Sequence, residues 1–238
     1  MKVAICLIIK DENEYLVEWL NHHIQVGFNY FIIYDNQSKL SVNRYLIMNN
    51  IPEKGITIIN WNDNKHGSQL RAYKHCCQNY KDFDYIAFID TDEFIYLTAH
   101  KTIQEYINSL PGFDGLGIYW RMYGDINYLT TRRKIEDYVL YYENEHIKSL
   151  VNPTKVTKWD DPHFATINGL YIDENKNIIN SPIGKHTSKD IYIKHTWTRS
   201  LSEFKQKIKR GSGDKVIRQY TLEDFYNYNK LCIQNDIK

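Results

Sequence analysis

The sequence lacks an excess of charge of either sign. Its 238 residues contain 30 Lys and Arg against 29 Asp and Glu, which gives a formal net charge of +1 at pH 7. Proteins that bind nucleic acid through much of their surface normally carry a clear basic excess. Nucleic acid is therefore not an expected partner of this protein.

Long hydrophobic runs are also absent. No apolar stretch approaches the roughly 20 residues that a membrane-spanning helix needs. The apolar opening, Met1–Ile9, is interrupted at once by Lys10-Asp11-Glu12, and it lacks the small-residue cleavage site of a signal peptide. We therefore expect a cytoplasmic protein. At most it makes a peripheral contact with the inner face of the membrane, through a basic helix predicted at Leu201–Arg210.

Cysteine is scarce as well. The chain has four cysteines, and no two of them are spaced as CxxC. This pattern predicts neither a disulfide framework nor a zinc site, and it fits a reducing compartment. We expect buried thiols without a chemical role at Cys6, Cys76, Cys77 and Cys232.

The first hundred residues alternate between strand and helix patterns. Continuous runs of apolar and β-branched residues predict strands at Val3–Ile9, Tyr30–Tyr34, Ile56–Trp61 and Tyr85–Ile89. Helical spacing predicts the intervening helices: one capped by Asp11 or Asn13 and ended by Gly27, then Val42–Asn49 and Ser68–Tyr80. Because parallel strands need crossover helices, this order predicts an α/β fold with a mixed, mostly parallel sheet and helices on both faces.

After Asp92 the pattern becomes that of a mixed extension of the sheet. Strand-like segments recur at Gly115–Trp120, Val139–Tyr142, Ser149–Val151 and Tyr192–His195. Helices are predicted at Thr102–Leu110, Ser202–Lys209 and Leu222–Ile233. No repeat, low-complexity tract or linker rich in Pro, Gly or Ser interrupts the chain, so we expect one domain over residues 1–238.

Polar residues follow each of the first four predicted strands. These segments are Lys10-Asp11-Glu12-Asn13, Asp35-Asn36, Asn62-Asp63-Asn64 and Asp90-Thr91-Asp92. In open parallel sheets, ligands bind at the carboxyl ends of the strands. The sequence therefore predicts a binding site at this edge of the sheet.

The acidic pair Asp90-x-Asp92 is the most specific chemical feature at that edge. Two carboxylates at a strand end can face one hard cation, and ligands that are all oxygen favour Mg²⁺ or Mn²⁺ over softer metals. Such an ion neutralises the phosphates of a departing diphosphate. The alternative is two solvated carboxylates in a turn, one of which caps a helix.

Four segments in a fixed order resemble a known group of enzymes. They are "KDENEYLVEWLNHHIQVGFNYFIIYDNQS" (10–38), "SQLRAYKHCC" (68–77), "IAFIDTDEFI" (86–95) and "IKHTWTRSLSEFKQKIKRG" (193–211). Together they resemble nucleotide-sugar glycosyltransferases of the GT-A fold, and more narrowly glycosyltransferase family 92 and related bacterial family-2-like enzymes. One departure is that the group usually reads Lys-Asn-Glu where this chain has Lys10-Asp11-Glu12.

The resemblance implies a division of the single domain. Residues 1–100 would bind the nucleotide, residues 101–200 would form the acceptor half, and residues 201–238 would add C-terminal helices. It also implies a divalent ion, Mn²⁺ or Mg²⁺, that Asp90 and Asp92 hold against the two phosphates of a UDP-sugar. His195 would complete the metal shell, although a lone strand histidine is often a core residue.

Further residues are implied in binding the donor. Asp35 would meet the nucleoside beside Lys10 and Asp11, or it is an ordinary turn residue. Gln69 and Arg71 would reach the nucleotide or a phosphate, or they are polar residues of a surface helix. Lys209 and Arg210, followed by Gly211-Ser212-Gly213, would fold over the diphosphate, or they belong to a solvated basic helix face.

The base that activates the acceptor is the least determined role. In enzymes of this kind it follows the acidic motif, where "KWDDPHF" offers Asp161 first, then His163, with Asp160 also present. Asp125 stays a further candidate for the base. An acceptor groove lined by Tyr119, Trp120, Tyr123 and Trp159 is an alternative to placing these aromatic residues in the core.

The sequence thus predicts a metal-dependent, inverting hexosyltransferase. It would move a sugar from a UDP-sugar to a hydroxyl of a surface glycan of the lipopolysaccharide or capsule type, or of a lipid-linked acceptor. One alternative is a nucleotidyltransferase, although Lys10 to Asn13 contains no glycine for a phosphate-binding loop. The other is an inactive module that binds sugar nucleotides.

Overall fold

The computed structural model describes residues 1–125, 131–185, 188–210 and 220–236. The strands of these residues are β1 (Val3–Ile9), β2 (Tyr30–Asp35), β3 (Ile56–Asn60), β4 (Tyr85–Phe88), β5 (Glu93–Leu97), β6 (Gly115–Tyr123), β7 (Tyr141–Val151), β8 (Val156–Trp159), β9 (Ala165–Ile167), β10 (Tyr171–Ile172) and β11 (Ile191–His195). The α-helices of these residues are α1 (Leu16–Gln25), α2 (Val42–Met48), α3 (Ser68–Asn79), α4 (Ile103–Ser109), α5 (Leu201–Arg210) and α6 (Leu222–Asp236).

One large mixed sheet organises the chain. Its strand order is β3-β2-β1-β4-β7-β6-β11-β5, with β10 paired to β6, while β8 and β9 form a separate two-stranded sheet. The first four strands in this order are parallel to one another, and β11 is parallel to β6. Strand β7 is antiparallel to both β4 and β6, and β5 is antiparallel to β11. The predicted mixed, mostly parallel sheet is confirmed.

Helices cover both faces of this sheet because both faces of its strands are apolar. On β1, Ile5 and Leu7 belong to a core cluster that includes buried residues of α1, α2 and α4. The alternate residues Ala4 and Cys6 belong to a second cluster, which includes buried residues of α3. Burying both sets of side chains removes the strand entirely from water, which explains its continuous apolar sequence.

The connection from β1 to α1 differs from the prediction. Neither Asp11 nor Asn13 caps α1, which begins at Leu16 after a 3₁₀ turn and has no side-chain cap. Both side chains instead hold the segment after β2: the Asn13 amide donates to the carbonyl oxygen of Leu40 (2.5 Å), and Asp11 Oδ1 accepts from the backbone N–H of Lys39 (2.7 Å).

The second half of the sheet contains strands that the sequence pattern did not indicate. β5 follows the acidic turn directly, where the prediction had no strand, and β8, β9 and β10 were also missed. The two short strands predicted at Val139–Tyr142 and Ser149–Val151 are one long strand, β7. In the residues that the structure describes, no helix is long and apolar enough to cross a bilayer.

Candidate functional site

The predicted edge of the sheet carries a cleft of about 490 Å³. Its lining includes Asp92 together with Lys10, Asp11, Lys207 and Lys209. This volume lies in the range of sites that bind small molecules and cofactors. Because segments from both ends of the chain line it, the fold brings together residues about 200 positions apart in the sequence.

Hydrogen bonds between strand-end loops form the rim of the cleft. Lys10 Nζ, after β1, donates to Asn64 Oδ1 after β3 (3.3 Å). Thr91 Oγ1, after β4, donates to Glu12 Oε2 after β1 (2.9 Å). The polar residues that the sequence placed at one edge of the sheet therefore contact one another.

Helix α1 fixes the backbone of the acidic turn. The buried indole N–H of Trp19 donates to the carbonyl oxygens of Asp90 (3.1 Å) and Glu93 (3.0 Å), on either side of Asp92. One turn later, His23 Nε2 accepts from the backbone N–H of Ile95 (3.2 Å), and its Nδ1 bonds the carbonyl oxygen of Trp19 (2.8 Å). The turn is thus held by side chains of the core, which fixes the direction of its carboxylates.

Asp92 lies between a lysine and a histidine. Its Oδ2 is 3.2 Å from Lys207 Nζ, and its Oδ1 is 3.5 Å from His195 Nε2. Burial raises the pKa of Asp92, but the Lys207 ammonium and the interaction with the His195 side chain together outweigh burial and hold this pKa well below its usual range. Burial lowers the pKa of His195 in spite of Asp92, which favours a neutral imidazole at neutral pH. Asp92 is therefore negatively charged and attracts a cation.

Asp90 is held by a buried lysine that the sequence analysis missed. Its Oδ2 is 2.7 Å from Lys148 Nζ, and its Oδ1 accepts from Gln69 Nε2 at 2.9 Å. Lys148 is fully buried on β7, and its Nζ also lies 3.5 Å from Glu93 Oε2. Burial alone would lower the pKa of Lys148, but Asp90 and Glu93 raise it above the ordinary value, so the ammonium is retained.

Glu93 and His195 face each other across β5 and β11. They are paired residues of the antiparallel ladder, and Glu93 Oε1 lies 3.9 Å from His195 Nδ1. Both atoms are buried and lack a hydrogen-bond partner within the described part of the chain. Burial raises the pKa of Glu93 well above its ordinary value, and Asp90 and Asp92 add to this although Lys148 opposes it. Burying a polar atom without a hydrogen-bond partner costs free energy, so these two atoms indicate a binding role at this position.

The donor set suits a hard or borderline divalent ion in its chemistry. Asp90, Asp92 and Glu93 supply carboxylate oxygens, and His195 supplies a neutral imidazole, which Mn²⁺ accepts as a ligand. In the described residues, however, no three side chains of His, Cys, Asp or Glu already stand in a metal-binding arrangement. The ammonium groups of Lys148 and Lys207 balance the carboxylates instead. These residues therefore fit the ion, provided that Lys207 leaves Asp92 when the ion binds.

The two residues predicted for acceptor activation form one unit. His163 Nδ1 lies 2.9 Å from Asp161 Oδ1, which assigns the proton to Nδ1 and leaves Nε2 as an acceptor. Burial alone would raise the pKa of Asp161. Its hydrogen bonds with His163 outweigh burial, lower this pKa below its ordinary value and keep the carboxylate charged. The ring of Trp120 contacts the rings of both His163 (5.1 Å) and His195 (4.5 Å), so this unit lies beside the acidic cluster.

The other residues predicted to bind the donor divide into two groups. Lys10, Asp11 and Lys209 line the cleft. The side chain of Arg210 and the segment 211–213, predicted to fold over a diphosphate, lie outside the described residues. The prediction that Lys10, Asp11 and Lys209 bind the donor therefore rests on their position in the cleft alone.

Three of these predicted residues make contacts within the protein. Asp35 is buried, and its two carboxylate oxygens accept from the backbone N–H groups of Ser38 and Val42, which is the turn role left open by the sequence. Gln69 binds Asp90. The Arg71 guanidinium pairs with Asp63, through Nε at 2.5 Å, and stabilises the loop after β3.

Two further expectations are corrected by burial. Asp125 is fully buried and 3.0 Å from Arg133 Nη1, so it cannot meet an acceptor hydroxyl. The aromatic groove is also wrong, because all four of its side chains are buried in the core, where apolar rings pack most favourably. These side chains are Tyr119, Trp120, Tyr123 and Trp159.

Comparison with known sequences places the chain among the glycosyltransferases. A sequence model of glycosyltransferase family 92 matches residues 1–227. The chain belongs to glycosyltransferase family 92.

Curated relatives of the same family come from plants. The family 92 protein Os08g0121900 of Oryza sativa is 25% identical over 108 residues, which are 45% of this chain and 18% of that protein. The family 92 protein RCOM_0530710 of Ricinus communis is 23% identical over 114 residues, which are 45% of this chain and 19% of that protein. The matched region thus spans less than a fifth of the length of these relatives.

Solved structures resemble the chain at low identity. HddC from Yersinia pseudotuberculosis, complexed with GMP-PN, is 10% identical with a TM-score of 0.49, over 97% of this chain and 99% of that one. The mannosyltransferase PcManGT from Pyrobaculum calidifontis, in complex with GDP-Man and Mn²⁺, is 12% identical with a TM-score of 0.41, over 50% of this chain and 36% of that one. Likeness at this level carries no argument about activity.

Proposed function

We propose that this glycosyltransferase moves a hexose from a nucleotide-sugar donor, with UDP-sugars as the first candidates, to a hydroxyl of a glycan or lipid-linked acceptor. The reaction is metal-dependent and inverting in this proposal. The observation that carries it is the cleft at the carboxyl ends of the strands, in which Asp92 lies among lysines. An anionic diphosphate and a cation suit such a mixture of charges.

The lysines of the cleft would bind the diphosphate of the donor. Lys10 and Lys209 line the cleft, and their ammonium groups offer hydrogen-bond donors to phosphate oxygens. When the bond between the anomeric carbon and the diphosphate breaks, its electron pair moves to the diphosphate oxygen. Fixed positive charges around that oxygen stabilise the departing group without reorganising water.

Asp90, Asp92 and His195 would hold the divalent ion. When bound, Mn²⁺ or Mg²⁺ would supply positive charge to both phosphates as a Lewis acid. The chain's own part is to keep these ligands in place. Trp19 fixes the turn, Lys148 and Gln69 hold Asp90, and the position of His195 opposite Glu93 in the sheet directs the imidazole to Asp92.

The Asp161–His163 pair would act on the acceptor. His163 Nε2 would accept the proton of the acceptor hydroxyl as its oxygen attacks the anomeric carbon from the face opposite the diphosphate, and this attack inverts the configuration. Asp161 would hold the imidazole in the required tautomer and stabilise its positive charge. This proposal makes His163 the base and Asp161 its partner, whereas the sequence analysis placed Asp161 first.

A donor screen tests the proposal. Purified protein is incubated with UDP-, GDP- and CDP-sugars, with Mn²⁺ or with EDTA, and the release of free nucleoside diphosphate is measured. We expect release from one class of donor only, dependent on the metal and lost in Asp92→Asn. Asp82→Asn is the matched control, because Asp82 is exposed and pairs with Lys2 on the surface. Nucleotide binding without any turnover would instead favour the inactive binding module.

The acceptor half of the proposal has its own test. Once a donor and an acceptor are known, Asp161→Asn and His163→Gln should slow sugar transfer by roughly a hundredfold while leaving the affinity for UDP unchanged. Full transfer activity in both variants would remove this pair from the mechanism.

A further inference from the structure

One lysine of the cleft contacts the acidic motif itself. Lys207, on α5, has its Nζ 3.2 Å from Asp92 Oδ2, and its side chain is 18% exposed. Nζ also donates to the carbonyl oxygen of Trp197 (2.9 Å), and it lies 5.1 Å from the centre of the Trp197 ring. The ammonium therefore has two anchors, one on Asp92 and one on the segment that follows β11.

Lys207 occupies a position on Asp92 that a cation would need. Asp92 Oδ1 faces His195 Nε2 at 3.5 Å, while Oδ2 bonds Lys207. Asp92 is almost fully buried, and a buried carboxylate without a counterion is strongly unfavourable. A positive charge is thus required at Asp92 whether or not a divalent ion is present.

Two unpartnered atoms lie next to this position, on the side of the His195 ring that faces Glu93. His195 Nδ1 and Glu93 Oε1 are buried without a hydrogen-bond partner in the described ranges, although each could bind a polar group. Lys207 reaches neither of them, because its polar contacts are with Asp92 and Trp197. The lysine therefore balances the charge of Asp92 but leaves the neighbouring donor atoms unsatisfied.

From this geometry we propose that Lys207 is an exchangeable counterion of Asp92. It holds the carboxylate while the metal site is vacant, releases it when a divalent cation binds, and then contacts the diphosphate of the donor. The inference rests on the proposed function. It assigns Lys207 two effects of opposite sign, competition with the metal and attraction of the nucleotide.

The second anchor explains why Lys207 would stay in the cleft after releasing Asp92. The carbonyl oxygen and ring of Trp197 hold the ammonium at the lining of the cleft. Lys10, Lys39 and Lys209 line the same cleft, so a diphosphate would meet four lysines there. A movement of the side chain alone makes this exchange, since α5 already places Lys207 in the cleft.

Calorimetric titration of Lys207→Met measures both effects. A charge-assisted contact of this kind corresponds to about a tenfold change in an equilibrium constant. We expect Mn²⁺ alone to bind about tenfold more tightly to Lys207→Met than to the wild type. UDP, titrated at saturating Mn²⁺, should bind several-fold more weakly. A role in folding alone would not move the two affinities in opposite directions.

Two variants complete the experiment. Lys205→Met, on the same helix and exposed, removes one positive charge without touching Asp92, and both affinities should stay at the wild-type level. Lys207→Arg keeps the positive charge, so it should bind Mn²⁺ as weakly as the wild type does. This variant separates loss of the charge from poor folding of Lys207→Met. Unchanged or weaker Mn²⁺ binding in Lys207→Met, with binding by the wild type intact, would overturn this inference alone. A wild type that binds no Mn²⁺ would overturn the metal dependence in the proposed function as well.

Discussion

Replacing Lys148 by methionine should destabilise the protein, because it removes a buried positive charge from two carboxylates. Lys148 Nζ is 2.7 Å from Asp90 Oδ2 and 3.5 Å from Glu93 Oε2, and the side chains of Lys148 and Glu93 are almost completely buried. Methionine fills a similar volume but leaves the carboxylates without this counterion. Breaking a buried pair by removing one partner typically costs about 3–5 kcal/mol of unfolding free energy.

The expected loss of unfolding free energy in Lys148→Met is limited, because Glu93 can take up a proton. Its pKa is already raised by burial and by its acidic neighbours, and loss of Lys148 would raise it further. The loss of unfolding free energy in Lys148→Met should therefore be smaller at acidic pH. The double variant with Glu93→Gln should recover about 1 kcal/mol or more of it, as is usual for residues in direct contact.

Urea denaturation followed by circular dichroism provides the measurement. Lys2→Met is the matched control, because Lys2 pairs with Asp82 at 3.1 Å where both side chains are more than half exposed. Exposed pairs contribute little to stability. A Lys148→Met variant no less stable than Lys2→Met would refute the role of Lys148 as the counterion of the buried Glu93 and of Asp90.

Two other predictions concern the sheet around the site. Burial lowers the pKa of Lys194 to about 8 from an ordinary 10.5, so between these values the unfolded chain binds a proton that the folded chain does not. The unfolding free energy should rise with pH through this window, by up to about 3 kcal/mol relative to Lys194→Met, and parallel pH curves would contradict this. A Cβ at Gly117 would lie 2.8 Å from Cδ1 of Ile147 and closer still to Ile179, whereas one at Gly112 would meet nothing within 4 Å. Gly117→Ala should therefore cost about 1–3 kcal/mol in urea denaturation, and equal stability of Gly117→Ala and Gly112→Ala would refute the close packing.

The strands of the parallel half of the sheet were predictable because their sequence follows from burial on both faces. The predicted strand at Val3–Ile9 has the observed bounds, and those at Ile56–Trp61 and Tyr85–Ile89 extend one residue too far. The antiparallel half was harder. β5 begins at Glu93, a charged residue that pattern reasoning assigns to a turn, yet its carboxylate is buried against Lys148 and the backbone of Asp90.

The candidate site was predictable where it lies at strand ends and unpredictable where it depends on distant partners. Asp90 and Asp92 follow a buried strand, so their position at a strand end can be predicted from the sequence. Lys148 is not, because a lysine inside an alternating strand normally points to solvent, and its burial depends on a carboxylate 58 positions away. Asp161 and His163 are two positions apart, and their hydrogen bond follows from local backbone geometry.

In the proposed function, a divalent cation and the diphosphate of a donor meet at Asp92. An anomalous difference map from crystals of the protein with Mn²⁺ and UDP tests it most directly. We expect a manganese peak within coordination distance of Asp92 and His195, with the diphosphate on the same ion and Lys207 no longer bonded to Asp92. Nucleotide bound in the cleft without a manganese peak, and with Lys207 still on Asp92, would contradict it.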